Sequence, residues 1–444
     1  MIYYTLKVIL NIFYRVFYRL GYRNIQNIPD DKPVIFAPNH TNAFIDPTIS
    51  CMLVSRKVRF FARGDVFKGR VARYFLDKMN ISPMYRMEEG FSEVKKNDKT
   101  FEECKRLLTE NKCILIFPEG ICVQERRLRK LRKGLARILF MTEEESGFSK
   151  DVVVIPVGIN YKNASKIRSK VFIDFGEPIS AKDHFEKFRT DKIRTINEFT
   201  QVLEEKMSET MLVVEDPIND PLMLGLEEMF LEPMMKQRKY DKDDMEKEYL
   251  LTKEIAGTIN KLQKEDQETA KSLREKVDSY SKSVHEKKLR DHLLREDSIE
   301  ALTMLSFIRD FLIAWFCTPI FWIGMIMNNP PYYLAKKIAD KKVKNIEFHA
   351  SMNANIAWVF WFFWYSIQLL VVALVFRSWP LLGIYALLVP VLLWFCISYY
   401  PRMKKIFGRW RLMRMVRKQK PMVEKLMNQR YEIVQIFEKL MSGS

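Results

Sequence analysis

A histidine and an aspartate share one short run, Pro38-Asn39-His40-Thr41-Asn42-Ala43-Phe44-Ile45-Asp46-Pro47, and such a pair can move a proton. An imidazole can accept a proton from an alcohol near neutral pH, and a carboxylate a few residues on can hold it in one tautomer. The chain has five histidines, and the other four (His184, His285, His292, His349) lie outside the region of strand-like runs around His40. Three further runs carry groups that could serve chemistry. Ile116-Phe117-Pro118-Glu119-Gly120 ends an apolar run in a carboxylate and a glycine, and the glycine permits close backbone approach of a substrate. Ser82-Pro83-Met84-Tyr85-Arg86 ends in a guanidinium, whose fork suits a phosphate. Ile155-Pro156-Val157-Gly158-Ile159-Asn160-Tyr161 has a proline near the middle of a strand-like run, which calls for a special backbone shape. Taken singly, each run suits a structural role as well as a functional one.

These residues need a scaffold that gathers strand ends. Apolar runs at 34–37, 58–62, 81–85, 113–117, 152–159 and 171–175 alternate with helix-like stretches such as 99–111 and 131–142. Short apolar strands separated by helices predict an α/β domain with a mostly parallel, buried sheet. His40, Arg86 and Glu119 then fall at strand ends, and His40 lies where α/β folds gather ligands. Beyond 180 the composition turns to Lys, Glu, Asp and Arg, with amphipathic patterns at 245–261 and 269–294 and no sustained heptad. Residues 181–300 therefore read as a charged helical insertion.

Together the ordered blocks His-x-Asn…Asp-Pro, Pro-x-x-Arg, Phe-Pro-Glu-Gly and Ile-Pro-Val-Gly resemble the four-block signature of the glycerolipid acyltransferase family. That family includes the 1-acylglycerol-3-phosphate and glycerol-3-phosphate acyltransferases, and the resemblance covers roughly residues 25–180. It implies that His40 is the general base with Asp46 as its orienting partner. It implies that Arg86, Glu119 and Gly120 hold the glycerol-phosphate acceptor and that Pro156 lies near the acyl-donor pocket. Leu131-Arg132-Lys133-Gly134 is similar to the family's basic segment, which adds Lys133 to the substrate-binding candidates. The implied reaction moves a fatty acyl group from acyl-CoA or acyl-ACP to the hydroxyl of 1-acylglycerol-3-phosphate (lysophosphatidate) in phospholipid biosynthesis. The thioester is a co-substrate, and no bound cofactor or metal is expected. Glycerol-3-phosphate or dihydroxyacetone phosphate is the alternative acceptor.

Two departures from the family pattern bear on this expectation. Five residues separate His40 from Asp46, where the commonest pattern has four. Each added residue turns a helix by about 100°, so Asp46 stays the partner only if a loop before the helix absorbs the insertion. Ile121 follows Gly120 where a hydroxyl residue is frequent, which removes one phosphate contact. The basic run Arg126, Arg127, Arg129 and Lys130 suits either the donor's phosphates or a solvated or membrane-facing surface.

The net charge of +18 calls for an anionic partner, and the basic residues flank apolar spans as membrane anchors do. No recognition motif supports nucleic acid, so membrane lipids are the expected partner. The intact site residues argue against a non-catalytic lipid-binding scaffold. Six cysteines without close pairs suit a reducing compartment rather than a disulfide framework. Residues 1–24 read as an interfacial amphipathic helix, with Lys7, Asn11, Arg15 and Arg19 on one stripe. Of three apolar segments, 356–376 and 381–400 are each long enough to span and form a hairpin. The segment 311–327 is shorter and interrupted by Pro319, which suggests a re-entrant or interfacial piece. The 328–355 loop carries five Lys against one Asp and one Glu, and the 401–444 tail carries twelve Lys/Arg against three Glu. A hairpin keeps both basic stretches on the cytoplasmic face with the catalytic domain. The expected location is the bacterial inner membrane rather than the endoplasmic reticulum.

Overall fold

The computed structural model of the protein describes residues 2–67, 69–85, 97–300, 303–343 and 345–442. It divides into two compact units, Met1–Val213 with Val343–Met352, and Val214–Lys342 with Asn353–Ser444.

The first unit is built on one sheet. The run of Val, Ile, Phe and Ala after Pro33 has no polar side chain to solvate, and it forms β2 (Val34–Pro38), buried at all five positions. With β1 (Arg19–Arg23), β3 (Val58–Arg63), β4 (Ile81–Met84), β5 (Cys113–Leu115), β6 (Val153–Tyr161) and β7 (Lys170–Phe175), the order is β1-β7-β6-β2-β5-β3-β4. A short β8 (Ile179–Ser180) also pairs with β6. All neighbours are parallel except at β6–β7 and β6–β8, so the expected mostly parallel sheet is what the chain forms.

Helices complete the layers: α1 (Ile2–Phe17), α2 (Asp46–Leu53), α3 (Arg70–Lys78), α4 (Asn97–Thr109), α5 (Gly134–Glu145), α6 (Phe185–Thr190) and α7 (Lys192–Thr210). On α4 the buried positions Thr100, Cys104, Leu107 and Leu108 follow the helical period. The last three join Leu139 and Phe140 of α5, Phe199 and Leu203 of α7, and Ile35, Ile114 and Val154 of the sheet in one core. The core of the first unit thus extends past residue 180 and takes in α7.

The N-terminal helix ends sooner than its basic stripe suggests. It stops at Phe17, and Arg19 enters β1 beside Lys170. Lys7 turns inward and donates to the Val54 carbonyl, at the C-terminal end of α2, where a cation is favoured. Tyr4, Val8, Ile9 and Ile12 are exposed instead, so an apolar stripe faces outward.

The second unit is helical. Its elements are α8 (Asp220–Gln237), α9 (Met245–Glu265), α10 (Gln267–Glu286), α11 (Glu296–Glu300), α12 (Met304–Lys342), most of α13 (Ile346–Phe376), α14 (Trp379–Lys418) and α15 (Lys420–Ser442). Asp244 and Asp266 cap α9 and α10 by accepting from backbone N–H groups in their first turns. Buried Asp291 accepts from Tyr280 Oη at 2.8 Å and Arg430 Nε at 2.8 Å, which fixes α15 against the charged helices.

Among the described residues three helices, α12, α13 and α14, are long and apolar enough to cross a membrane. Contrary to the interruption expected at Pro319, α12 runs unbroken for 39 residues through Pro319, Pro330 and Pro331. A proline removes one ladder bond, and close packing against another helix makes that tolerable. The helix packed against it is α14. Gly324 leaves room for the Cys396 side chain and for the Leu392 carbonyl, which would lie 3.3 Å from a Cβ. Phe321 and Tyr399 pack beside them. Buried Asn328 accepts from Trp361 Nε1 of α13 at 3.0 Å and donates to the Gly324 carbonyl at 3.1 Å, so its amide is satisfied within the helices.

Candidate active site

The loop that leaves β2 folds back over its own end. Asn39 is buried and clamps β6 from both sides of its amide: Nδ2 donates to the Ile159 carbonyl at 3.2 Å, and Oδ1 accepts from Ile159 N–H at 2.7 Å. His40 follows at once. Its Nδ1 lies 3.0 Å from Asp46 Oδ2, its ring stacks on Phe117 at 3.8 Å, and its side chain is 11% exposed. A carboxylate can only accept, so Nδ1 carries the hydrogen, and in the neutral imidazole that leaves the lone pair on Nε2.

The five-residue spacer is absorbed before the helix. Asp46 is the first residue of α2, and its backbone N–H bonds to the Asn42 carbonyl at 3.0 Å, closing the spacer into a turn. Asp46 itself is fully buried. Oδ2 accepts from Thr41 N–H at 2.7 Å and Asn42 N–H at 2.6 Å besides the imidazole, and Oδ1 accepts from Tyr161 Oη at 2.8 Å. Four donors around one carboxylate offset the cost of burying its charge. The first turn of α13 also meets this loop: Ala43 N–H donates to the Glu347 carbonyl at 3.2 Å, and Phe44 meets Phe348 edge to face.

Glu119, expected to contact the acceptor, is engaged by the main chain. It is 6% exposed, and both oxygens are taken by main-chain donors, His40 N–H at 3.0 Å and Arg129 N–H at 3.3 Å. The carboxylate therefore ties the histidine loop to the basic segment. Val123 N–H, donating to the His40 carbonyl at 2.9 Å, ties them again. Gly120 has φ +72, a conformation that favours glycine, and it turns the chain so that Arg132 lies against it. Arg132 N–H donates to the Pro118 carbonyl at 2.7 Å. Glu125 accepts from Arg127 at 3.2 Å and Arg129 at 2.9 Å and so orders part of the basic run. Lys133 is exposed, directly before α5. Arg86 lies outside the described residues.

The fourth block shapes the floor. The Pro156 carbonyl accepts from Gly176 N–H at 2.8 Å, which points the proline nitrogen to the same side. That is where the partner of β6 changes from β8 to β7, so the missing N–H breaks no ladder. Pro156 is buried opposite Ala37 of β2. Asn160 Nδ2 donates to the Thr210 carbonyl at 3.0 Å, and its Oδ1 accepts from Leu212 N–H at 2.7 Å, which fixes the end of α7.

Sequence reasoning missed Tyr161 and Phe117 as members of the site. Both stand inside runs already singled out, Phe117 in Ile116–Gly120 and Tyr161 at the end of Ile155–Tyr161, but neither was given a role there.

Burial pushes the Glu119 carboxyl from 4.5 up to about 7, against the smaller pull of its two N–H donors. An acid with a raised folded-state value makes the folded state the better proton binder. Its contribution to stability is thus fully present below about pH 4.5 and is lost as pH rises through about 7. The size is about 3 kcal/mol at most. Unfolding temperatures recorded from pH 5 to pH 8 should show this fall in the wild type and a flatter dependence in Glu119→Gln. Equal slopes in the two proteins would remove Glu119 from that window.

Comparison with protein families matches residues 19–160, about a third of the chain, to the family described as Acyltransferase. The chain is similar to Glycerol-3-phosphate O-acyltransferase 1 of Saccharomyces cerevisiae, 26% identical over 53% of this chain and 31% of that one. It is also similar to Glycerol-3-phosphate O-acyltransferase 2 of the same yeast, 28% identical over 29% of this chain and 17% of that one. The matched stretch thus spans about a third or less of the length of either relative. Among solved structures, the 1-acyl-sn-glycerophosphate acyltransferase of Thermotoga maritima aligns with 17% identity and a TM-score of 0.32, over 45% of this chain and 75% of that one. Residues 19–160, which hold the histidine and aspartate together after β2, are thus the part of this chain that is similar to the Acyltransferase family.

Proposed function

We propose that the chain moves a fatty acyl group from acyl-CoA or acyl carrier protein onto a free hydroxyl of a glycerol-phosphate acceptor, with His40 as general base. The carrying observation is the Nδ1–Asp46 hydrogen bond, which leaves Nε2 to take a proton. Among the described residues His40's ring is held by Asp46 and Phe117 and by no serine or cysteine, which favours direct attack by the acceptor over an acyl-enzyme. The acceptor oxygen attacks the thioester carbonyl as its proton passes to Nε2. The tetrahedral intermediate then expels the thiol sulfur, which takes that proton from the imidazolium.

The names of the two yeast relatives favour glycerol-3-phosphate as acceptor. Lysophosphatidate, which the four-block resemblance puts first, is the second reading. Arg86 and the exposed Lys133 are assigned to acceptor binding, and Arg126, Arg127 and Arg129 to the donor's phosphates. Three long apolar helices among the described residues support a place in the membrane, and the active site is assigned to the face where acyl thioesters are made. The chain purified in detergent should consume acyl thioester when given glycerol-3-phosphate, with lysophosphatidate run in parallel. Consumption with neither acceptor would sink the proposal. Arg86→Ala should raise the KM for the phosphorylated acceptor about tenfold or more and change kcat less. An equal loss with a phosphate-free glycerol acceptor would remove Arg86 from phosphate binding.

A further inference from the structure

Asp46 is held unevenly. Oδ2 receives three donors, from Thr41 N–H, Asn42 N–H and His40 Nδ1, whereas Oδ1 receives one, the Tyr161 hydroxyl at 2.8 Å. The carboxylate is wholly buried, so no solvent stands in for a lost donor. We propose that Tyr161 is a positioning residue of the acyl transfer: its hydroxyl stops the Asp46 carboxylate from turning, so that Oδ2 stays aimed at His40. The inference rests on the reading of His40 as general base.

Several contacts hold the phenol where this task needs it. Tyr161 is the last residue of β6, paired with Val171 of β7, and Lys162 N–H donates to the Lys170 carbonyl at 3.0 Å just beyond it. Its ring meets Tyr18 edge to face at 5.8 Å, and Tyr18 is itself pinned by donating to the Ala164 carbonyl at 2.6 Å. Burial and the neighbouring Asp46 charge push the Tyr161 phenol well above its usual range, so it remains a neutral donor. Without the hydroxyl, Oδ1 would be buried with no partner. A turn of the carboxylate that offered Oδ1 to the Thr41 or Asn42 N–H would draw Oδ2 away from the imidazole. Catalysis depends on sub-ångström placement of the base, so the effect should fall on turnover.

The test is a double-mutant cycle on the full-length protein in detergent, with acyl-CoA and glycerol-3-phosphate or lysophosphatidate, whichever the wild type turns over. Tyr161→Phe keeps the ring and its packing and removes only the donor. It should lower kcat about ten- to a hundredfold with little change in either KM. In the Asp46→Asn background the amide nitrogen can donate to the Tyr161 oxygen, so the carboxylate turn no longer exists to be prevented. There Tyr161→Phe should cost less than about threefold. Equal fold-losses in the two backgrounds, a loss carried by KM alone, or no loss would each overturn the inference. If Tyr161→Phe does not accumulate folded, Tyr161→4-aminophenylalanine retains an N–H donor and should keep turnover within about tenfold of wild type; a larger loss overturns the inference. His40→Ala is run alongside. Retained turnover there would bring down the base reading together with this inference, whereas an inactive His40→Ala beside an unaffected Tyr161→Phe would bring down this inference alone.

Discussion

Replacing His40 by alanine should lower kcat by about 10²–10⁴-fold, the range that a positioned general base contributes. The melting profile should stay close to that of the wild type, for reasons that lie in the main chain. The bonds of His40 to Glu119 and Val123 use its backbone N–H and carbonyl, which alanine keeps. Asp46 retains the Thr41 and Asn42 N–H donors and the Tyr161 hydroxyl, so its buried charge is not stranded. Phe117 loses the stacked ring, a modest packing cost. Steady-state rates and a thermal melt on the same preparation separate the two effects. Turnover within about tenfold of wild type would exclude His40 as the base.

The second large effect concerns folding. A Cβ built on Gly158 would overlap the Thr210 carbonyl outright, and the obstacle is backbone rather than a side chain that can swing away. The end of α7 cannot retreat easily, because Asn160 grips both the Thr210 carbonyl and the Leu212 N–H. Gly158→Ala should therefore destabilise the first unit by about 3 kcal/mol or more, at the upper end of overpacking costs. A loss of that size lowers the melting temperature by roughly 6–12 °C. Gly134→Ala is the control, since nothing lies within 4 Å of a Cβ there. A melt of Gly158→Ala that matches this control would show that α7 can move away from β6 at little cost.

The parts of the fold that local pattern governs were legible in the sequence. β2, β3, β6 and β7 lie within a residue or two of the apolar runs that predict them, because short runs dominated by Val, Ile and Phe between helical stretches have few alternatives to a buried strand. The His40–Asp46 pairing was legible as well, together with the condition that a loop absorb the fifth spacer residue. β1 was not legible. Lys7, Asn11, Arg15 and Arg19 recur at a four-residue interval that reads as one helix, but pairing of Arg19–Arg23 with β7 overrides the local period. Glu119 looked available to a substrate because sequence cannot show that two main-chain amides, one 79 residues away, fill both of its oxygens. Tyr161 lies 115 residues from Asp46, and only the parallel pairing of β2 with β6 brings them together. The continuity of α12 through Pro319 was hidden for a similar reason, since it depends on α14 packing alongside.

The Asn160 clamp also governs where the protein can be dissected. The family match ends at Asn160 itself, and β8 ends at Ser180, so either point looks like a natural place to cut. A fragment stopped at Ser180 would lack Thr210 and Leu212, leaving the Asn160 carboxamide without two of its partners and the close-fitting surface at Gly158 bare. It would also lose Phe199, Leu203 and Met207 from the core shared with Phe140 and Leu139, an apolar face prone to association once uncovered. Carrying the fragment on to Val213 keeps the clamp closed and that face covered.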